Sequence, residues 1–236
     1  MTSIQLVVFD MAGTTVRDDN EVLHCFLEAA AATGLEAGAA EVNPMMGWPK
    51  KRVFQTLWQR QVGAADYQAK VEQSFGKFKL LLEDHYRTQP VVPTEGCLEL
   101  FDWLRSRQIK IALNTGFYRE VTDIILQRLG WDQGLNAEYV GSDSLIQASI
   151  TPSEIYNQEG RPAPYMIQKA MYLLGVRDPQ TVAVLGDTPA DLEAGFNAHC
   201  GLVLGVTNGT HTEAELQPYP HHGFLNSLPE LPAKIQ

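Results

Sequence analysis

The stretch Ile4-Gln5-Leu6-Val7-Val8-Phe9-Asp10-Met11-Ala12-Gly13-Thr14-Thr15 opens as an apolar run and closes on a carboxylate followed by small and hydroxyl residues. An apolar run of this kind suits a parallel strand covered on both faces better than a half-exposed antiparallel one. Four further β-rich runs follow, at residues 109–113, 137–141, 181–185 and 201–206. Helical patterns occupy residues 96–107, 119–129, 163–174 and 189–198. Strand–helix alternation of this kind predicts an α/β fold with a Rossmann-like, doubly wound parallel sheet. Ligands of such sheets sit beyond the carboxyl ends of the strands, where Asp10 stands.

The first alternation is interrupted. Residues 18–89 show helical patterns at 21–33, 51–61 and 66–86, with turn-like breaks at Gly34, at Asn43-Pro44 and at Gly63, and without a strand signal. Gln89-Pro90-Val91-Val92-Pro93 reads as the return linker. The expected organisation is a core of residues 1–16 and 90–236 carrying an inserted all-helical cap domain of residues 17–89, placed over the face where Asp10 lies. The tail beyond Thr207 is the least legible part, with a final helix expected near residues 225–228.

With 28 acidic against 18 basic residues the formal net charge is -10, which argues against nucleic acid or an anionic membrane as the main partner. A small anionic substrate remains compatible, since a metal ion and a few cations can reverse the field in one cleft. Three widely spaced cysteines, Cys25, Cys97 and Cys200, suit neither a disulfide framework nor a zinc site. With no basic leader followed by an apolar stretch, and no run long enough to span a bilayer, a cytoplasmic location is expected.

Four turns carry the candidate chemistry. Asp10 ends a strand and can attack phosphorus or ligate a metal, while Ala12 and Gly13 let backbone amides and a carbonyl approach closely. Leu113-Asn114-Thr115-Gly116 places the Thr115 hydroxyl at a second strand end, near the start of a helix, where phosphoryl oxygens are readily held. Gly160-Arg161-Pro162-Ala163-Pro164 sets a guanidinium before a helix start, suited to pairing with both a nucleophilic carboxylate and phosphoryl charge. Gly186-Asp187-Thr188-Pro189-Ala190-Asp191 gives two carboxylates four residues apart, a donor set suited to Mg²⁺. Each turn also has a plain structural use, as a strand-ending turn, a helix cap or an exposed arginine loop. Their recurrence at successive strand ends favours the chemical reading.

The series DMAGTT, NTG, GRPAPYM and GDTPAD resembles the four-motif signature of the haloacid dehalogenase superfamily, from Ile4 to about Val206. The resemblance implies that Asp10 is a nucleophile forming an aspartyl-phosphate. It implies that Asp10, the Ala12 carbonyl and Asp187 hold Mg²⁺ with Asp191 in support, and that Thr115, Gly116 and Arg161 bind the transferring group. Most phosphatases of that superfamily carry an acid two residues after the nucleophile, where this chain has Ala12. The D-x-A-G-T-T form and the arginine of G-R-P-x-P resemble the phosphonoacetaldehyde hydrolase branch, in which a cap lysine condenses with the substrate aldehyde. Met46-Gly47-Trp48-Pro49-Lys50 matches that branch's M-G-x-x-K pattern, which makes Lys50 the candidate amine and sets Met46 beside the substrate. The branch also carries a histidine and a tyrosine where this chain has Val53 and Phe117, and Tyr118 is one helical step out of place, about 100°.

The expected function is therefore Mg²⁺-dependent hydrolysis of phosphonoacetaldehyde or a related small phosphorylated metabolite. Two rivals stand beside it: a phosphomonoester phosphatase with an atypical acid and base, and a phosphate-binding module without turnover. By resemblance, a homodimer through the cap is the expected assembly.

Overall fold

The structure is a computed structural model that describes residues 3–63 and 67–235. Its centre is a six-stranded, wholly parallel sheet in the order β3-β2-β1-β4-β5-β6. The strands are β1 (Leu6–Phe9), β2 (Lys110–Asn114), β3 (Ala148–Ile150), β4 (Val182–Gly186), β5 (Leu202–Val206) and β6 (Phe224–Leu225). The nine helices among the described residues are α1 (Glu21–Ala32), α2 (Ala39–Val42), α3 (Lys50–Val62), α4 (Tyr67–Thr88), α5 (Cys97–Ser106), α6 (Arg119–Leu129), α7 (Tyr165–Leu173), α8 (Pro189–Asn197) and α9 (Glu213–Leu216). None of the described helices is long and apolar enough to cross a membrane.

β1 shows why the opening run forms a central strand. Val7 and Phe9 pack into one core layer with Phe101, Leu104 and Trp131. Leu6 and Val8 join the opposite layer with Met166, Ile167 and Leu192. All four strand residues are buried, so both faces demand apolar side chains. β2 and β4 flank β1, and the chain reverses its direction of growth across the sheet there. That reversal opens a crevice beyond the carboxyl ends of β1, β2 and β4.

Between β1 and α5 the chain is helical, with α1 and α3 both packed on α4. Phe26 of α1 stacks on Phe54 of α3 at 4.1 Å between centroids, and Phe78 of α4 meets both edge-on at 6.0 Å. The Trp58 indole donates to Ser74 Oγ at 2.9 Å, and Ser74 Oγ lies 2.7 Å from Thr33 Oγ1, which ties the three long helices by one polar chain. Residues 64–66, where the last of the predicted cap helices begins, lie outside the described residues.

Two sequence expectations are corrected. The run 137–141 is not a strand. The Asn136 side-chain oxygen accepts from Glu138 N at 2.8 Å and Val140 N at 3.1 Å, an Asx-type turn. Tyr139 adopts a positive φ, and only Val140 makes an isolated bridge to Ala148. The strand is instead β3, three residues long at the edge of the sheet. The expected terminal helix at 225–228 is also absent: Phe224–Leu225 adds β6, and a 3-10 segment, Leu228–Lys234, follows.

Candidate active site

The carboxyl ends of β1, β2 and β4 bring three of the four turns together, and the loop before α7 brings the fourth. Asp10, Ala12, Thr115, Gly116, Arg161 and Thr188 all line one inner cavity of about 30 Å³. Met46, Gly47 and Lys50, from the segment that enters α3, close the same cavity from the other side. A volume of that size holds a water or two. A larger outer cleft of about 880 Å³ shares Lys50 and Gly116 with the inner cavity and opens toward Arg52, Phe75 and Tyr118.

Asp10 is 5% exposed, and Arg161 Nη1 lies 2.8 Å from its Oδ1. The same guanidinium also contacts Asp191 Oδ1. Burial raises the Asp10 carboxyl to about 6, opposed by the Arg161 charge and reinforced by Asp187. Arg161 Nε and Nη1 are buried, and neither makes a well-directed hydrogen bond. An anion entering the cavity would satisfy them.

Asp187 is held from several directions. Thr14 Oγ1 donates to its Oδ1 at 3.1 Å, Thr210 N donates to its Oδ2 at 2.6 Å, and His211 Nδ1 lies 3.1 Å from its carbonyl. Gly13 has φ +87°, and a Cβ there would fall 2.3 Å from Asp187 Oδ2. Asp191 combines two roles. Its Oδ2 accepts from Thr188 N and Oγ1 at 3.1 and 2.5 Å, completing the α8 capping box, while Oδ1 faces Arg161.

Asp10, Asp187 and Asp191 each offer an oxygen within 4.8 Å of one another, all three buried. This oxygen-only set, with Ala12 lining the same cavity as Asp10, fits a small hard cation such as Mg²⁺. Concentrated buried negative charge also gives a divalent cation a reason to be held there.

Lys50 is the first residue of α3 and only 5% exposed, not a solvated helix-start lysine. Its Nζ donates to the Trp48 carbonyl at 3.3 Å. Burial, followed by the Arg161 charge, lowers its pKa to about 8, with Asp10 acting in the opposite sense. Lys51 pairs with Glu72 at 2.6 Å and lines the outer cleft, whereas Lys50 lines the inner cavity as well. Val53 lies in the helical core at 0% exposure, and Phe117 is buried against Tyr86. Tyr118 donates to Glu83 Oε1 at 3.1 Å and lines only the outer cleft, so it does not replace the missing tyrosine.

Glycines set how closely the loop sits. A Cβ on Gly47 would fall 2.3 Å from Thr188 Oγ1, one on Gly116 2.7 Å from the Gly47 carbonyl oxygen, and one on Gly160 2.6 Å from Pro49 Cγ. Gly116→Ala is the sharpest probe because its obstacle is backbone. It is expected to cost about 1–3 kcal/mol, read as a lower urea midpoint, and to reduce kcat/KM by displacing Lys50. An unchanged midpoint with unchanged kcat/KM would show that the loop is not held there.

The sequence reading missed Thr14, Thr210, His211 and above all Asp18, which also lines the inner cavity. Thr14 stood inside the first motif, D-M-A-G-T-T, without an assigned role. Thr210 and His211 lie in a tail without a strong periodic signal.

The profile of the haloacid dehalogenase-like hydrolases matches residues 4–199. A phosphonoacetaldehyde hydrolase from Bacillus cytotoxicus is 30% identical over 91% of this chain and 81% of its own. One from Bacteroides fragilis is 28% identical over 100% of this chain and 89% of its own. In fold, the chain superposes on a phosphonoacetaldehyde hydrolase-like protein from Oleispira antarctica with a TM-score of 0.80 at 19% identity, covering 99% and 91% of the two chains.

Proposed function

The chain belongs to the haloacid dehalogenase-like hydrolases, and on that premise we propose that it cleaves the C–P bond of phosphonoacetaldehyde or a closely related small aldehyde-bearing phosphonate. The observation that carries this reading is the buried amine of Lys50 in the same cavity as the Asp10 carboxylate. A phosphate ester needs a proton at its leaving oxygen, and Ala12 cannot give one. A phosphonate aldehyde needs an electron sink at carbon, which an iminium supplies.

In this cycle the neutral Lys50 amine condenses with the aldehyde, and water leaves. Arg161, whose Nη1 pairs with Asp10 and Asp191 while Nε has no partner, and Thr115 receive the phosphoryl oxygens. Asp10 attacks phosphorus, and the C–P electron pair passes into the iminium to give an enamine. Protonation of the enamine carbon and hydrolysis of the imine release acetaldehyde, and water hydrolyses the aspartyl-phosphate to phosphate. Mg²⁺, held by Asp10, Asp187 and the Ala12 carbonyl with Asp191 behind, would neutralise phosphoryl charge when bound. Residues 17–89 act as the cap that opens for substrate and excludes water once closed.

The amine's pKa gives this reading a magnitude. A group at about 8 rather than 10.5 is neutral at pH 7 in roughly one molecule in ten, against about one in three thousand. Borohydride reduction in the presence of phosphonoacetaldehyde is expected to trap an adduct on Lys50. The trapping rate should rise by up to tenfold per pH unit as pH approaches about 8. Absence of an adduct from enzyme that releases phosphate would sink C–P cleavage through an imine. Phosphomonoester hydrolysis is the second reading, favoured by the apolar Val53 and Phe117, which bring no proton to Lys50. The same trapping separates the two.

A further inference from the structure

Asp18 lies in the connection between β1 and α1, a segment with no motif of its own, yet it lines the inner cavity beside Asp10, Ala12 and Lys50. Its Oδ1 accepts from Glu21 N at 2.8 Å and more distantly from Val22 N at 3.5 Å, so one oxygen is committed to the start of α1. The Glu21 carboxylate is the charge that most disfavours ionisation of Asp18. Glu21 is only half-buried, which gives the pair a route to solvent protons.

We propose that Asp18 is the proton-transfer residue of the Lys50 reaction, filling the role that Val53 and Phe117 leave empty. This rests on the imine reading above. Lys50 Nζ first adds to the aldehyde carbon, and the proton lost by nitrogen is balanced by one gained at oxygen, giving a neutral carbinolamine. The Asp18 carboxyl then gives its proton to the carbinolamine hydroxyl. The C–O bond breaks with its electron pair leaving in water, and the nitrogen lone pair forms the iminium beside an Asp18 carboxylate. After C–P cleavage and protonation of the enamine carbon, that carboxylate takes a proton from the water that attacks the product iminium. The second step reverses the first, so Asp18 ends the cycle as it began.

The surroundings favour the neutral acid. Burial, then the Glu21 carboxylate, lift Asp18 to about 8, with Asp187 adding to the effect. The other ionisable groups that sense it are Cys25 on α1, Tyr86 on α4 and Lys50 on α3. Asp18 is therefore largely protonated at the pH where a useful fraction of Lys50 is not.

Asp18→Asn tests this, because an asparagine oxygen still accepts from Glu21 N while its amide cannot act as an acid. With phosphonoacetaldehyde, both the borohydride-trapping rate and kcat are expected to fall about 10²–10⁴-fold, with the melting temperature held. Turnover of p-nitrophenyl phosphate, which needs neither imine nor acid, should fall far less than turnover of phosphonoacetaldehyde, with Asp10→Asn as the control that abolishes both. Should Asp18→Asn fold poorly, Asp18→Ala with added imidazole is the second measurement: its conjugate acid, abundant near neutral pH, replaces a lost proton donor and does not replace a lost helix cap. Wild-type trapping without a slower rate in Asp18→Asn, or Asp18→Ala that imidazole leaves unchanged, overturns the proposal alone. No adduct in the wild type overturns the imine reading and this role with it.

Discussion

Asp10→Asn is expected to reduce phosphate release from phosphonoacetaldehyde by on the order of 10⁴-fold or more, the scale seen when an attacking group is removed. The substitution keeps the size of the side chain and removes only the nucleophilic oxygen. Arg161 retains Asp191 as a partner, so the protein should remain folded. Because burial holds the Asp10 carboxyl up at about 6, a neutral amide at that position relieves a desolvation cost, and the melting temperature is expected to hold. The same variant also orders the steps. Condensation on Lys50 precedes attack on phosphorus, so borohydride should still trap substrate on Lys50 in Asp10→Asn, and an acid-quenched phosphoenzyme should be absent. Residual turnover within tenfold of wild type would remove Asp10 from the nucleophile's role.

The legible parts of this molecule are those whose signal is local. The strand Leu6–Phe9, expected over 4–9, was readable because burial on both faces leaves no polar alternation to confuse it, and Asp10 because a strand's carboxyl end is where such folds place chemistry. The lysine was readable as a motif, yet its burial was not, since nothing near Lys50 in sequence shows that Gly116 and Gly160 admit the loop against the core. Asp18 was invisible for the same reason. It sits in what reads as a linker and becomes half-buried only when the helices dock on the sheet. The run 137–141 misled because Tyr139 and Val140 have strand-like composition, whereas the turn is set by the Asn136 side chain.

Arg161 separates the structural from the chemical demands on the site. It is 2% exposed and is the cation nearest to both Asp10 and Asp191, with Asp187 in the same cluster. Removing one partner of a buried ion pair typically costs about 3–5 kcal/mol, because the remaining charges lose their compensation. Arg161→Met keeps the length and removes the charge, so a stability loss of that order is expected in metal-free protein at neutral pH. The pH dependence follows from the sign of the shift. Asp10 already binds its proton more tightly folded than unfolded, so its contribution favours folding at acid pH and is lost as pH rises through about 6. Without Arg161, which lowers that pKa, the folded value moves further up. The penalty of Arg161→Met should therefore be small below about pH 4, where an exposed aspartate is also protonated, and grow as pH rises past 6. Magnesium should restore part of the lost stability in the variant, and more than it adds to wild type, since a dication placed among the same three carboxylates supplies the charge the guanidinium no longer does. Thermal unfolding across pH, with and without millimolar magnesium, reads all three effects. A penalty that is flat with pH and indifferent to magnesium would mean that Arg161 serves packing alone, and that the neutralising of Asp10 lies elsewhere.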